Sequence, residues 1–254
     1  MLGVNVESID FNLPVDALTE KPLFAFSCNR NVRENYRGPL LLDNDDEPIT
    51  LDNISTKVGS RVKGIFDQKS RYNHSQHDAI AYGDVTLGKD GSRYYLNFNG
   101  SSFFDIPITQ YLTKDVGVFV VCDPDGTGRE PVFSGFSATH ELSMDVGSAY
   151  MRFSYYKLSD KQLLFGGLDS PELKRDGYVA NFSDEINITN VSGSTGKSVR
   201  SLELSSPLSV CCMGKDAGNY FTGKIYEMIV TDFEIQNDSI DQVFDDWTDY
   251  YSLT

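Results

Sequence analysis

The sequence is poor in positive charge for its length. Its 254 residues include 22 Lys and Arg against 37 Asp and Glu, so the formal net charge is −15. Acids occur along the whole chain, and several cluster near the C terminus. These are Asp238, Asp241, Asp245, Asp246 and Asp249. Such a surface repels phosphate backbones and anionic lipids, so we expect neither nucleic acids nor acidic membranes as direct partners.

Long hydrophobic runs are also absent from the sequence. No segment approaches the roughly 20 apolar residues that a membrane-spanning helix needs. The first residues include Glu7 and Asp10 and lack a basic region followed by an apolar one, which differs from a secretory signal. We therefore expect synthesis in a cytoplasm, without export through a signal peptide.

Cysteine is scarce, and its positions indicate no cross-linked framework. The four cysteines, Cys28, Cys122, Cys211 and Cys212, have neither the spacing of a zinc site nor that of a disulfide-rich domain. Cytoplasmic synthesis favours free thiols. Cys211 and Cys212 could close as a strained vicinal disulfide, but we interpret them as two small apolar residues in a strand, SVCCMG.

The sequence contains few of the motifs that carry chemistry. With three histidines and no Gly-x-Ser-x-Gly elbow, little room remains for a Ser-His-Asp triad. His74, His77 and Asp78 could ligate a metal, but no second ligand cluster accompanies them, and a polar loop is the alternative. GSTGKS at 193–198 ends like a phosphate-binding loop, yet Val191 stands where the first glycine is required. We predict a flexible hairpin loop there.

Calcium is the one cofactor for which the sequence offers candidate ligands, and otherwise we expect none. DNDDE at 43–47 and DPDGTGRE at 123–130 place carboxylates in short loops, and hard cations prefer such oxygen ligands. Neither loop has the Glu that completes an EF-hand. The candidate ligands are Asp43, Asp45, Asp123 and Asp125. Solvated acidic turns are the alternative interpretation.

The sequence is rich in short segments of strand-forming residues. These segments contain Val, Ile, Tyr and Phe and are separated by Gly, Pro, Asp and Asn. We predict strands near 93–99, 102–106, 115–122, 131–136, 148–157, 162–167, 177–182, 185–191, 199–204, 208–213 and 224–235. Such regular spacing indicates a β-sandwich or barrel. We expect one domain at residues 23–254, preceded by an extended arm at residues 1–22.

One long stretch, GNYFTGKIYEMIVTDFEI at 218–235, predicts a strand that is buried on both faces. Successive side chains of a strand point to opposite faces. Ile225 and Ile229 would share one face and Met228 would lie on the other. A strand that is apolar on both faces lies inside a layered body, so Glu227 is also expected to be buried.

The residues that follow have the pattern of a C-terminal helix. Apolar side chains recur there at 3.6-residue spacing. They are Ile240, Val243, Phe244, Trp247 and Tyr251. Ser239, followed three residues later by Gln242, has the form of a capping box and predicts the helix start.

Two sets of residues carry a resemblance to a known family. The first is the aromatic segment YYLNFNGSSFFDIP at 94–107, together with the late GKIYEMIV strand and its helix. The second is a leader with matching residues at Phe26, Ser27, Arg30, Val32, Tyr36, Gly38, Pro39, Asp67, Gln68, Asn73, His74, Leu96, Phe98 and Gly100. The chain thereby resembles the concanavalin A-like, laminin-G-type jelly roll of bacteriophage structural proteins, whose leader is similar to the start of the arabinofuranosidase B sandwich. Phe66 and residues 69–72 depart from that pattern.

The resemblance implies an all-β, two-sheet antiparallel jelly-roll sandwich with an N-terminal arm and a short C-terminal helix. We expect a non-enzymatic bacteriophage virion protein, made in the host cytoplasm, that decorates a capsid or tail or forms part of a fibre. The arm would dock on other virion proteins in an oligomeric or assembled state, and the sandwich would adhere to host-surface glycans. The residues suited to glycan contact are Tyr72, Asn73, His74, Phe136, His140 and Tyr220.

Two alternatives come from other functional classes. A glycoside hydrolase or depolymerase acting on host polysaccharide needs two carboxylates across a sugar cleft. Glu227 is one candidate, and Asp67 or Asp105 would face it. A lone Glu on a central strand, however, is more often held by structural hydrogen bonds. The other alternative is a purely structural cement protein without a ligand.

Overall fold

The computed structural model describes residues 17–18, 20, 22–32, 36, 38–68, 79–108, 115–125, 128–137, 140–147, 150–157, 162–169, 175–183, 185–199, 208 and 210–253. Most of the predicted arm at 1–22 lies outside the described residues. The segment at 69–78, with Tyr72, Asn73, His74, His77 and Asp78, lies outside them as well.

Within the described residues, strands are the predominant secondary structure. In chain order they are β1 (Phe24–Ser27), β2 (Leu41–Asp43), β3 (Pro48–Ile49), β4 (Val62–Ile65), β5 (Ala79–Tyr82), β6 (Thr86–Asp90), β7 (Arg93–Asn99), β8 (Phe103–Asp105), β9 (Val116–Pro124), β10 (Glu130–Phe136), β11 (His140–Gly147), β12 (Tyr150–Lys157), β13 (Gln162–Asp169), β14 (Asp176–Phe182), β15 (Glu185–Asn190), β16 (Thr195–Val199), β17 (Val210–Met213) and β18 (Thr222–Thr231). A short 3-10 helix spans Ile54–Thr56, and the helix α1 spans Asn237–Tyr251.

The strands form two antiparallel sheets. Sheet A has eight strands in the order β16-β15-β14-β9-β18-β7-β6, with β1 also paired to β18. Sheet B has ten strands in the order β13-β12-β11-β10-β17-β8-β5-β4-β2-β3. Apolar side chains from both sheets pack into one large core between them. The predicted two-sheet antiparallel sandwich with a C-terminal helix is confirmed.

Strand β18 lies in the middle of sheet A and is buried on both faces, as predicted. Its register on β9 shifts between Ile225 and Glu227, and such a bulge changes which way the following side chains point. Ile225 and Met228 therefore both pack into the core between the sheets. Tyr226 and Ile229 pack against α1 on the other side of the sheet. The strict alternation expected from the sequence, with Ile225 and Ile229 on one face, is wrong for this reason.

Helix α1 forms a third layer on the outer side of sheet A. All five residues of the predicted apolar stripe are buried. They are Ile240, Val243, Phe244, Trp247 and Tyr251. The predicted capping box is wrong, because the helix begins at Asn237 and Ser239 lies inside its first turn. The Ser239 hydroxyl instead donates a hydrogen bond of 2.9 Å to the carbonyl of Ala17, which ties the end of the predicted arm to the helix.

Several strand predictions match closely, and the differences lie at β11 and around β16. Strand β11 was not predicted, although it pairs along its length with β12. The segment at 193–198, predicted to be a flexible loop, contributes its first residues to a turn and the rest to β16, which pairs with β15. The predicted strand at 199–204 begins where β16 ends, and its other residues lie outside the described ones.

The cysteines are reduced and buried, as the sequence analysis predicts. All four cysteines are buried free thiols. Cys211 packs into the core, whereas its neighbour Cys212 lies on the other face of β17, beside Asp105 and Ser134. Burial raises the pKa of Cys212 to about 12, so its thiol stays protonated near neutral pH. Within the described ranges, no helix is long and apolar enough to cross a membrane.

Candidate functional site

Sheet B has one face in the core and one face that points outward. The core face carries a row of large apolar side chains across neighbouring strands, namely Phe104, Met213, Phe133, Met144 and Phe153. The register places the adjacent positions in a row on the opposite face. That row is Ile80, Asp105, Cys212, Ser134, Ser143, Ser154 and Phe165. We call this opposite face the outer face.

A short loop that follows β17 contacts the outer face. Lys215 and Tyr220 pair across it, and Asp216 Oδ1 accepts hydrogen bonds from the backbone N–H groups of Gly218 and Asn219, at 2.8 and 2.7 Å. The hydroxyl of Ser134 donates to the carbonyl of Lys215. The 214–220 loop therefore covers the serine at the middle of the outer face, which explains why a polar side chain there is buried.

One side of the loop adjoins three aromatic rings, which we call the aromatic platform. Tyr82 and Phe103 are cross-strand partners, and their rings stack with centroids 4.8 Å apart and planes 9° apart. Tyr220 lies 6.2 Å from Phe103. Lys215 Nζ lies 4.2 Å from the Phe103 centroid and 5.5 Å from that of Tyr220.

The platform is open to solvent at its β5 end. Tyr82 is 50% exposed and Ile80, on the same face of β5, is 56% exposed. Large apolar side chains exposed together on a sheet face are typical of a contact surface. The other side chains of the platform, Phe103 and Tyr220, are partly exposed.

On the other side of the loop, arginines and carboxylates form a charged cluster. Asp145 is fully buried and accepts hydrogen bonds from Arg129 Nε at 3.0 Å and from Arg152 Nε at 3.1 Å. The hydroxyl of Ser143 also donates to Asp145. Arg129 Nη2 lies 3.2 Å from Asp216 Oδ2. The loop thus contributes to both the aromatic platform and the charged cluster.

Glu141 is an acid of this cluster whose carboxylate has few hydrogen-bond and ion-pair partners among the described residues. Its Oε1 is buried and accepts no hydrogen bond from the described residues, and Arg129 Nη2 lies 3.7 Å away. Burial, followed by repulsion from Asp216, raises the pKa of Glu141, although Arg129 and the Ala217 N–H act in the opposite direction. The interactions with Arg129 and Ala217 therefore offset only part of the cost of burying this carboxylate.

The predicted contact residues have different outcomes. Phe136 pairs with Glu141, which in turn pairs with Tyr156, so two aromatic residues are the cross-strand neighbours of Glu141. Tyr220 belongs to the aromatic platform. The backbone of His140 starts β11, and Glu141 is the next residue of that strand. Tyr72, Asn73 and His74 lie outside the described residues.

Glu227 and Asp67, two of the acids considered for glycosidase chemistry, are both buried. Glu227 has no exposed surface. It accepts hydrogen bonds from Trp247 Nε1 at 2.8 Å and from the Tyr251 hydroxyl at 2.9 Å, and Arg30 Nε lies 3.2 Å from it. Asp67 is 2% exposed and accepts a hydrogen bond of 3.1 Å from the Ala25 N–H. Glu227 is thus enclosed by the helix layer, away from any surface that a sugar could reach.

Two of the four calcium candidates, Asp43 and Asp123, have carboxylates that are engaged by protein groups. Lys57 Nζ lies 2.8 Å from Asp43 Oδ2, and Asp43 Oδ1 accepts hydrogen bonds from the N–H groups of Asp45 and Glu47, both at 2.9 Å. An ammonium group therefore occupies the position that a cation would take. Asp123 pairs with Lys224 at 2.9 Å.

The second calcium candidate loop contains Asp125, whose backbone N–H donates to the Thr222 carbonyl at 2.9 Å. In the part of the chain that is described, no group of three or more His, Cys, Asp or Glu side chains is arranged to hold a metal ion. The arrangement therefore gives no support to calcium binding at these loops.

Sequence reasoning missed most of the outer face, although one signal was readable. In HELSMDVG at 140–147, apolar Leu142 and Met144 alternate with polar Glu141, Ser143 and Asp145, which is the period of a strand with one buried face. The stacking of Tyr82 on Phe103 has no local signal, because it depends on the pairing of β5 with β8.

Comparison with known proteins places the chain by its fold. The sequence matches no protein-family model and no curated protein. An arabinofuranosidase solved with arabinofuranosyl-α-1,2-xylobiose has a TM-score of 0.61 at 12% identity, covering 92% of this chain and 64% of that one. Domain 4 of an extracellular arabinanase from Geobacillus stearothermophilus, solved with arabinotriose, has a TM-score of 0.52 at 12% identity, covering 76% of this chain and 94% of that one.

A third solved structure comes from botulinum neurotoxin type C, whose cell entry depends on interaction with two ganglioside molecules. It has a TM-score of 0.55 at 11% identity, covering 77% of this chain and 52% of that one. At such identities the likeness shows a shared fold. The chain is therefore a two-sheet β-sandwich of the jelly-roll type.

Proposed function

We propose that this protein is a glycan-binding β-sandwich module and that the saccharide binds on the outer face of sheet B. The observation that carries the proposal is the aromatic platform, in which Tyr82 and Phe103 stack and Tyr82 is half exposed. Sugar rings present C–H faces that pack on aromatic rings, while their hydroxyl groups need a few well-placed polar partners.

The charged cluster supplies polar partners on the same face. Arg129 and Arg152 carry further N–H groups beyond those bound to Asp145, and the Glu141 carboxylate lies beside them, with its Oε1 3.7 Å from Arg129 Nη2. Phe136 and Tyr156 adjoin Glu141. An extended saccharide lying across the 214–220 loop would thus meet aromatic rings on one side and hydrogen-bonding groups on the other.

The comparisons support a saccharide as the ligand. The arabinofuranosidase and the arabinanase domain were solved with oligosaccharides, and the neurotoxin interacts with gangliosides. These three proteins share the sandwich with this chain. The shared fold makes saccharide binding a natural use of the scaffold, and the aromatic platform is the feature of this chain that suits it.

We propose binding without hydrolysis. Glycosidases need two carboxylates that both reach the sugar. On the outer face, Asp145 is fully buried between two arginines and Asp216 is held by its own loop. The other two acids named on this face, Asp105 on β8 and Glu141 on β11, lie three strand spacings apart, or roughly 14 Å, which is wider than a glycosidase pair. Incubation with the saccharides that bind should therefore release no reducing ends, and release that Glu141→Gln abolishes would favour the hydrolase alternative.

The aromatic platform is tested by truncating its exposed ring. A glycan array identifies a bound saccharide, and titration calorimetry then compares the protein with Tyr82→Ala. We expect binding at least about tenfold weaker, because a central aromatic contact is worth more than 1 kcal/mol. The fold should be unaffected, since the ring is half exposed.

The matched control for this experiment is Phe165→Ala. Phe165 is also 50% exposed and lies on the same face, but six strand spacings from β5, or roughly 29 Å. The Phe165→Ala variant should bind the saccharide with unchanged affinity. An array without any bound saccharide, or equal affinities for Tyr82→Ala and the parent protein, would contradict the proposal.

We further propose that the module belongs to a bacteriophage virion, where it decorates the capsid or tail and binds host-surface glycans. The resemblance of the leader and the late strand to phage structural proteins supports this role. The N-terminal arm would dock on other virion proteins.

Deletion of residues 1–16 tests the arm. It keeps Ala17, which accepts the Ser239 hydrogen bond, and Leu18, which packs against the helix cluster. We expect a folded chain that no longer binds purified virion components in sedimentation, while light scattering reports its oligomeric state. A truncated chain that binds as well as the full chain, or a full chain that binds no virion component, would count against this role.

A further inference from the structure

Lys215 differs from most described lysines in what its ammonium group faces. Four of the others form ion pairs with acids, namely Lys57, Lys63, Lys197 and Lys224. Lys215 Nζ instead lies over the rings of Phe103 and Tyr220, and no carboxylate among the described residues forms an ion pair with it. Its positive charge is therefore available to a ligand.

The order of strands places this charge at one end of the aromatic platform. Lys215 follows β17, Phe103 lies on β8 and Tyr82 on β5, which are successive strands of sheet B. Phe103 thus lies between the two, with Tyr82 stacked at 4.8 Å and the ammonium at 4.2 Å from its centroid. A saccharide packed on the exposed ring of Tyr82 would extend over Phe103 towards Lys215.

An ammonium group next to aromatic rings is a strong recognition element for an anion. It carries three donors, and hydrogen bonds from a charged donor to a charged acceptor are about twice as strong as neutral ones. The rings displace part of its water and thus strengthen its interactions. In a protein of net charge −15, an acidic saccharide is repelled elsewhere, so a local unpaired cation would determine where it binds.

We infer that the ligand of the outer face is an acidic oligosaccharide, and this inference rests on the proposed function. One sugar ring packs on Tyr82, and an anionic group on a neighbouring sugar accepts hydrogen bonds from Lys215 Nζ. The shared chemistry is a sugar that carries an anionic group. A carboxylate of a uronic or sialic acid and a sulfate ester are its two sources.

The test uses pairs of saccharides that differ in one anionic group. They are oligogalacturonate with its methyl ester, sialyllactose with lactose, and sulfated lactose with lactose. For at least one pair, we expect the protein to bind the acidic member about tenfold more tightly at low salt. The preference should decrease as salt is added, because a partly exposed ion pair is screened. The saccharide pair that shows this preference identifies the anionic group as a carboxylate or as a sulfate.

Lys215→Met removes the charge and keeps the aliphatic stem. We expect it to abolish the preference for the acidic member while binding of the neutral member remains. Lys89→Met is the matched control, because Lys89 Nζ also lies over a ring, that of Tyr94 at 5.1 Å, but on sheet A. It should leave the preference intact.

The outcomes separate this inference from the function on which it rests. Equal binding of acidic and neutral members, or a preference that survives in Lys215→Met, would overturn the inference while glycan binding stands. Binding of no saccharide at all would overturn both. Loss of binding to neutral saccharides in Tyr82→Ala, together with loss of discrimination in Lys215→Met, would establish the two contacts separately.

Discussion

Replacement of Glu227 by alanine is expected to lower the free energy of unfolding by about 3–5 kcal/mol. Glu227 has no exposed surface and accepts hydrogen bonds from Trp247 and Tyr251. Arg30, which is also buried, lies 3.2 Å from it. Removal of the Glu227 carboxylate leaves the buried Arg30 guanidinium with one carboxylate partner, Asp246 at 2.5 Å. It also takes an acceptor from two buried donors, the Trp247 N–H and the Tyr251 hydroxyl.

The phenol of Tyr251 depends on the same carboxylate. Burial, with Glu227 adding to it, raises the pKa of Tyr251 well above its usual value, so the hydroxyl remains protonated and continues to donate. The network thereby joins the loop after β1, strand β18 and helix α1. Loss of Glu227 should loosen the helix layer first, and urea titration followed by circular dichroism would measure the global loss.

Two further variants serve as comparisons for the stability of Glu227→Ala. Glu227→Gln keeps an oxygen acceptor of similar shape and should cost less, about 1–3 kcal/mol. Glu185→Ala is the control, since Glu185 is a partly exposed acid paired with Lys197 at 3.6 Å and should change stability by less than about 0.5 kcal/mol. Equal stability of Glu227→Ala and the parent protein would show that the network carries no stability. Lost hydrolytic activity at full stability in Glu227→Gln would favour the catalytic role considered from the sequence.

The layers of the fold were predictable because their signals are local. The two-sided apolar pattern of β18 and the helical stripe from Ile240 to Tyr251 can be read within one segment. Burial of Glu227 followed from the same pattern. The bulge at Ile225 could not be read, because it arises from pairing with β9, a strand about 100 residues earlier in sequence. The Ser239 hydroxyl likewise bonds Ala17 and makes no helix cap.

The candidate site was less predictable than the fold for the same physical reason. Tyr220 was named from composition, but its neighbour Phe103 comes from a distant strand. Phe136 meets Glu141 within one hairpin, but the second strand of that hairpin, β11, was not predicted. The charged cluster joins Arg129 to Asp216 across 87 positions of sequence. Only the tertiary pairing of sheet B brings these groups together.

The second large effect is expected for Trp247→Ala, with a loss of about 3–5 kcal/mol in the free energy of unfolding. Trp247 is the single tryptophan and is fully buried. Its ring meets Phe119 of sheet A edge to face, with centroids 5.8 Å apart. A Cβ added to Gly177 would lie 2.6 Å from Trp247 Cε3, so the glycine leaves the space that the indole fills. Truncation therefore opens a cavity between the helix and the sheet.

The melting temperature should fall by on the order of 10 °C for a chain of this length. Circular dichroism is the suitable probe, because the variant lacks the only indole fluorophore. Trp247→Phe keeps a ring against Phe119 and loses the donor to Glu227. Its melting temperature should therefore lie between those of the parent protein and Trp247→Ala. In a double-mutant cycle, Trp247→Phe and Glu227→Ala should be non-additive by about 0.5–3 kcal/mol, as expected for residues in direct contact. Strict additivity would mean that the 2.8 Å hydrogen bond contributes nothing and that the indole stabilises the helix layer by packing alone.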